Sequence, residues 1–182
     1  MAASDLTGQI AIVPKPPTFI GWGIAAVTHS HVSHVVTHVG GGMVASPQPG
    51  GVRIVPASTF PTAVYSRFPL TGLAAGRVAD FARLQEGKPY AFADDALIGL
   101  ERLFGFRFPR WVRRMYEDDG RLQCAQLAMA SLLKGGIDPF PGDPDRLGDV
   151  APADFERLFI RNAWTTVAEL VAGESRTVTA WA

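Results

Sequence analysis

Cysteine occurs once in the 182 residues, as Cys124, and histidine only four times, as His29, His31, His34 and His38. A single cysteine cannot close an internal disulfide, which fits a reducing compartment. Net charge is also lacking, because 17 basic and 17 acidic side chains cancel. No overall field therefore draws the chain to nucleic acid or to an anionic membrane. Polar or turn residues interrupt every apolar run before membrane-spanning length, and Met1 to Gly8 lacks the basic and apolar regions of a secretory signal. The chain reads as soluble, cytoplasmic or virion-associated, with no integral membrane segment, no signal peptide and no nucleic-acid partner. Its length suits a single domain over residues 1–182, without internal repeat or interdomain linker.

What is present is patterned. Gln9 to Val13 is a short apolar run ended by Pro14 and predicts a first strand. Thr18 to Val27 has the length and apolar content of a short buried helix. Ser33 to Val39 and Met43 to Ser46, joined by Gly40-Gly41-Gly42, predict two strands around a glycine turn, with Val52 to Val55 a third and Tyr65 to Phe68 a further one. After Thr71 the apolar spacing becomes helical, with Thr71 as cap and Gly87 as terminator. Asp94 to Phe104 reads as a helix and Trp111 to Tyr116 as a helical turn. Leu122 to Lys134, dense in Ala and Leu and closed by Gly135-Gly136, is the strongest helix, followed by a loop from Asp138 to Asp149, a short helix from Pro152 to Leu158 and a helix or strand from Trp164 to Ala172. The class is α+β.

The histidine run allows three readings. In a strand, alternate side chains point to opposite faces, so individual histidines can simply lie at the surface or hydrogen-bond within the core. A metal reading follows from His29-Ser30-His31-Val32-Ser33-His34, which resembles the His-x-His-x-Asp-His signature of the metallo-β-lactamase fold. Ser33, a poor zinc ligand, replaces the aspartate, and no downstream histidine completes the set. No metal and no organic cofactor is therefore expected.

The third reading pairs the run with Cys124. A thiol is activated by a neighbouring imidazole and by a helix N-terminus, both of which favour thiolate. Cys124 falls at the third residue of the predicted helix, where the dipole stabilises an anion and backbone N–H groups can hold an oxyanion. A buried, inert cysteine on an Ala/Leu helix is the competing assignment.

Taken in order, several short motifs make the chain similar to the circularly permuted branch of the NlpC/P60 superfamily of papain-like hydrolases and acyltransferases, in which strand and histidine precede the cysteine helix. Thr7-Gly8-Gln9-Ile10 resembles the Gly-Asp-Ile opening the family's first strand, and Ser33-His34-Val35 its Ser-His-Val before a Gly-rich hairpin. Gly50-Gly51-Val52 follows the next strand. Gly87-Lys88-Pro89-Tyr90 resembles the Gly-x-Pro-Tyr before the cysteine region, and Gln123-Cys124-Ala125-Gln126-Leu127 the Cys-Ser-x-Leu opening the helix. Val150-Ala151-Pro152-Ala153-Asp154-Phe155 resembles the Thr-Pro-x-Asp-Leu near the family's C-terminus.

The resemblance implies a small antiparallel sheet or open barrel packed on the helix that bears the cysteine. It implies Cys124 as nucleophile and His34 as general base and later acid. The orienting third residue aligns with Ser46, where His, Asn, Gln or Glu is usual, so that Gln48, His38 or a water takes that role or the triad is degraded. The implied activity is thiol-dependent cleavage or transfer of an amide or ester through an acyl-enzyme, preferentially on peptidoglycan-type peptides and alternatively on lipid esters. A non-catalytic binding or structural module of papain-like shape, for instance a phage particle component with virion assembly partners, is the alternative from another class.

Overall fold

The computed structural model describes residues 5–14, 30–48, 50–89, 123–142, 147 and 150–180, with only the backbone over 174–180. Its described part is α+β: five strands, β1 (Ile10–Pro14), β2 (Val32–Gly40), β3 (Met43–Gln48), β4 (Gly51–Pro56) and β5 (Val64–Tyr65), and four helices, α1 (Gly72–Arg83), α2 (Cys124–Lys134), α3 (Pro152–Arg161) and α4 (Val167–Ala180). The strands form one antiparallel sheet in the order β4-β3-β2-β1-β5. The helices expected at Thr18–Val27 and Asp94–Phe104, and the turn at Trp111–Tyr116, lie outside the described residues.

The sheet buries both faces, which explains the near-continuous Val and Ile of β1 and β2. On one face Ile10, Ile12, Val32 and Val35 pack against Ala125, Ala128, Met129 and Leu132 of α2, against Phe155, Leu158 and Phe159 of α3 and against Leu170 of α4. Farther along the same face, Val39, Ala45 and Val52 meet Leu127 of α2 and Ala79 and Ala82 of α1. Each fully buried Val, Ile, Leu or Phe contributes about 1.5–3 kcal/mol of transfer free energy, so these two clusters fix how α2 lies across β2.

The other face carries Ala11, Val13, Val36 and Val44, covered by Ala57, Phe60 and Ala63. That cover is the connection between β4 and β5, which occupy opposite edges of the sheet. Four strand spacings amount to about 19 Å, and eight residue steps from Pro56 to Val64 reach at most about 29 Å. A 3-10 turn at Ala57–Thr59 uses part of that reach. The segment is long enough for the crossing and runs over the face as a band.

The β2–β3 hairpin turns through Gly41 (φ 61°) and Gly42 (φ 70°), with Gly40 opposite Met43. A two-residue loop whose twist matches the strands needs positive φ at both positions, which glycine supplies without a Cβ clash. Beyond β5, Gln9 fastens the chain to the sheet: its Oε1 accepts from Ser66 Oγ at 2.6 Å and from the Phe68 N–H at 3.0 Å, and its Nε2 donates to the Phe68 carbonyl at 2.9 Å. This side-chain bracket replaces strand pairing there, so β5 ends at Tyr65 instead of running to Phe68.

Local rules set the helix ends. Thr71 Oγ1 accepts from the Ala74 N–H at 3.3 Å at the start of α1, which stops at Arg83 and winds through turns to Gly87. At α2 the Gln126 Oε1 accepts from the Gln123 N–H at 3.1 Å, so Gln123 is the cap and Cys124 is the first helical residue rather than the third. Pro152 opens α3, and Asp154 Oδ2 accepts from the Ala151 N–H at 2.8 Å. The segment left open at Trp164–Ala172 is helical from Val167.

Helices α1 and α2 approach closely at Gly135, where an added Cβ would lie 2.5 Å from Val78 Cγ2 and 3.1 Å from the Ala74 carbonyl. Gly135 has an ordinary φ of −78°, so the constraint is packing rather than backbone strain. Gly135→Ala is expected to destabilise the fold by about 1–3 kcal/mol through overpacking. In a denaturant double-mutant cycle, Gly135→Ala combined with Val78→Ala should cost less than the sum of the two single changes.

Candidate active site

His34 lies near the start of β2, directly after an irregularity in the ladder. Val13 pairs with His34 and Pro14 with Val32, which leaves Ser33 without a partner on β1. Such a bulge bends a strand and re-aims the neighbouring side chain. His34 Nε2 is 2.9 Å from Ser46 Oγ on β3. Gln48 Nε2 donates to the same Oγ at 3.1 Å. Ser46 is fully buried, and the Phe60 ring of the crossing band stands 5.7 Å from the imidazole, tilted by 44°. The serine side chain is long enough to reach the ring because both residues project from the same face of adjacent strands.

Burial dominates the electrostatics. His34 keeps a little exposure to solvent, yet removal of water from the charged form lowers its pKa from 6.5 to about 4. The imidazole is therefore neutral at pH 7. His38 is also pushed down by burial, against the opposing pull of the Asp5 carboxylate. Its Nδ1 accepts from the Gly40 N–H at 3.2 Å and its ring meets Tyr65 edge-on, so it serves the hairpin and the crossing face. Its contacts give it no part in holding His34.

The N-terminal end of β2 is pinned by a residue that sequence reasoning missed. Glu156 of α3 is buried, and its Oε2 accepts from the His31 N–H at 3.0 Å and from Ser30 Oγ. Ser30 Oγ in turn accepts from the Val32 N–H at 3.1 Å. A signal existed in the chain: Glu156 sits three residues after Ala153 and three before Phe159, an acidic position on a buried stripe. His31 enters this arrangement through its backbone. Among the described residues no group of three or more His, Cys, Asp or Glu is placed to hold a metal ion, and His29 lies outside them.

Cys124 is buried, with 3% of its surface exposed, at the first position of α2. Helix α2 packs across β2 and reaches β3. Its contact face is the one carrying Val35, whereas His34 shares the opposite face with Val36 and Phe60. The structure thus brings His34 and Ser46 together directly, and it brings the cysteine helix onto the histidine strand.

The sequence matches no protein-family model and no curated protein. Among the described residues no helix is long and apolar enough to cross a membrane.

The lowered pKa of His34 has a thermodynamic consequence. Between about pH 6.5 and pH 4 the unfolded chain protonates this imidazole while the folded chain does not, so stability falls as the pH drops through that window. The integrated loss for this one group is at most about 3 kcal/mol. His38 acts in the same direction. Denaturant titrations from pH 7 to pH 4 should show His34→Gln with a flatter pH dependence than the parent, and an unchanged slope would count against a neutral buried imidazole at this position.

Proposed function

We propose that the chain is a thiol-dependent hydrolase or acyltransferase of circularly permuted papain-like architecture, with Cys124 as nucleophile, His34 as general base and Ser46 as the residue that orients the imidazole. The observation that carries this reading is the His34–Ser46 hydrogen bond, set on a bulged strand against which the cysteine helix packs. With Gln48 donating to Ser46 Oγ, the hydroxyl keeps a lone pair for a hydrogen on His34 Nε2. The lone pair of Nδ1 is then the basic site.

This reading requires the thiol at the first turn of α2 to reach an imidazole that projects from the other face of β2. The thiol proton then moves to Nδ1 as Sγ attacks an acyl carbon, and the imidazolium returns it to the leaving amine or alcohol. Water then resolves the thioester with the same imidazole as base. The neutral imidazole sets the resting state. An ordinary thiol at pKa about 8.5 transferring its proton to a base near 4 is uphill by about 6 kcal/mol before ion-pair attraction and the helix N-terminus act. The uncharged pair is therefore the ground state, and proton transfer accompanies attack. Peptidoglycan-type peptides are the preferred substrates in this reading, with lipid esters second.

A second reading is supported by a separate observation. The body of α2 and the His34 side chain occupy opposite faces of β2. That arrangement favours a binding or structural module that has the shape without the chemistry, such as a component of a virus particle.

Iodoacetamide separates the two readings. The hydrolase reading expects Cys124 to alkylate about tenfold faster than a small free thiol at pH 7, a gain of roughly 1.4 kcal/mol, with the advantage lost in His34→Ala and reduced in Ser46→Ala. Labelling no faster than the free thiol, or indifferent to His34, assigns the module.

A further inference from the structure

We infer that the outer face of α1 is a self-association surface, on which a second copy of this chain lays its own α1 antiparallel; the inference goes beyond the thiol reading and does not rest on it. Helix α1 turns its inner side to the core, where Val78, Ala79 and Ala82 are buried. Its outer side carries Leu73 and Leu84. At 69% and 77% exposed, they are the two most exposed large apolar side chains among the described residues. A single leucine on a surface is ordinary. These two form a stripe, because Leu84 continues the helix in αR geometry and eleven steps of about 100° return it to within about 20° of Leu73, roughly 16 Å along the axis.

Arg77 and Asp80 lie between them on the same stripe, and both are exposed. The spacing from Leu73 to Arg77, Asp80 and Leu84 is four, three and four residues, that of the a and d positions along a coiled-coil seam. The order selects the occupant. Laid antiparallel on a copy, Leu73 meets Leu84 of the second copy and Arg77 meets Asp80 of the second copy, and two-fold symmetry repeats both pairs. A parallel pairing would set arginine against arginine and aspartate against aspartate, which like-charge repulsion opposes. Polar residues at such a seam fix register and orientation at some cost in strength.

The remaining charges agree with this arrangement. Asp80 is paired with Arg83 of its own helix at 3.6 Å, whereas Arg77 has no ion pair among the described residues. A cation without a partner therefore stands between the two leucines, one turn from the carboxylate that its copy would receive. The chain's net charge of zero sets no long-range repulsion between copies. A single pair of three-turn helices buries less than about 1,200 Å², so the dimer is of the weak, concentration-dependent class.

The test is sedimentation velocity on the full-length chain from about 5 to 500 µM, where a reversible monomer–dimer equilibrium is expected. Leu73→Gln and Leu84→Gln should each weaken it by about tenfold, with melting temperatures within about 2 °C of the parent because both side chains are exposed in the monomer. Arg77→Asp and Asp80→Arg should each be monomeric alone, since both charge pairs across the seam become like-charged. Mixed in equal amounts, these two variants should form a heterodimer in which both charge pairs are again opposite, by about tenfold or more over either self-association. Circular dichroism establishes that each variant is folded. Should Asp80→Arg fold poorly without its Arg83 partner, Arg77→Asp and Leu84→Gln carry the test. A parent that stays monomeric at the top of the range overturns the inference and leaves the stripe to a partner of different sequence. Self-association indifferent to both leucines and to Arg77, or folded charge variants that ignore each other when mixed, overturns it as well.

Discussion

The central strand β2 is buried on two sides, and the rest of the described structure depends on that double burial. Alternate residues of one nine-residue strand must satisfy two different layers: Val35 and Val39 meet helices, while Val36 meets the crossing band. A polar side chain placed on such a strand is poorly reached by water and costs free energy unless a partner is at hand, a cost that Thr37 Oγ1 carries unpaired. His34 finds Ser46 and His38 finds the Gly40 N–H. The neutral state of both imidazoles follows from the same enclosure, which disfavours charge more strongly than the surrounding dipoles favour it.

The hydrogen-bonded supports around β2 come from three directions and none is apolar. Glu156 on α3 holds the backbone just before the strand, Gln9 brackets the segment after β5, and Gln48 stands behind Ser46. Each of these side chains is long, and each bonds groups that regular strand pairing does not reach. Glu156 and Gln48 act at the stretch of β2 around His34 and Gln9 at the far edge of the sheet, while the apolar clusters hold sheet and helices together. The two kinds of interaction divide the work: burial supplies most of the free energy and hydrogen bonds supply the register.

The strands and hairpin were legible because their signals are local. β-branched runs broken by Gly40-Gly41-Gly42 and by Pro14 can form little else, and helix ends are marked by the capping hydroxyl of Thr71 and by the positive φ of Gly136. Gln123 as the cap of α2 was not legible, since glutamine is an uncommon cap and the apolar pattern began a residue earlier at Leu122. The pairing of His34 with Ser46 could be expected from the order of the motifs, but not from either residue alone. Glu156 was missed for a different reason. Its partners, Ser30 and the His31 N–H, are more than a hundred residues away and one is a main-chain group, which no side-chain pattern announces. That His34 and Val35 face opposite ways follows from strand alternation, but which of the two faces receives α2 is a matter of packing that the strand's composition leaves open.

The band from Ala57 to Ala63 bears on how the imidazole can be reached. Phe60 closes one side of the ring and Ser46 occupies Nε2. The band is held at both ends, by the pairing of β4 with β3 and of β5 with β1. Access to the imidazole from the band's side of the sheet is thus governed by one aromatic ring rather than by the broad surface of the strands.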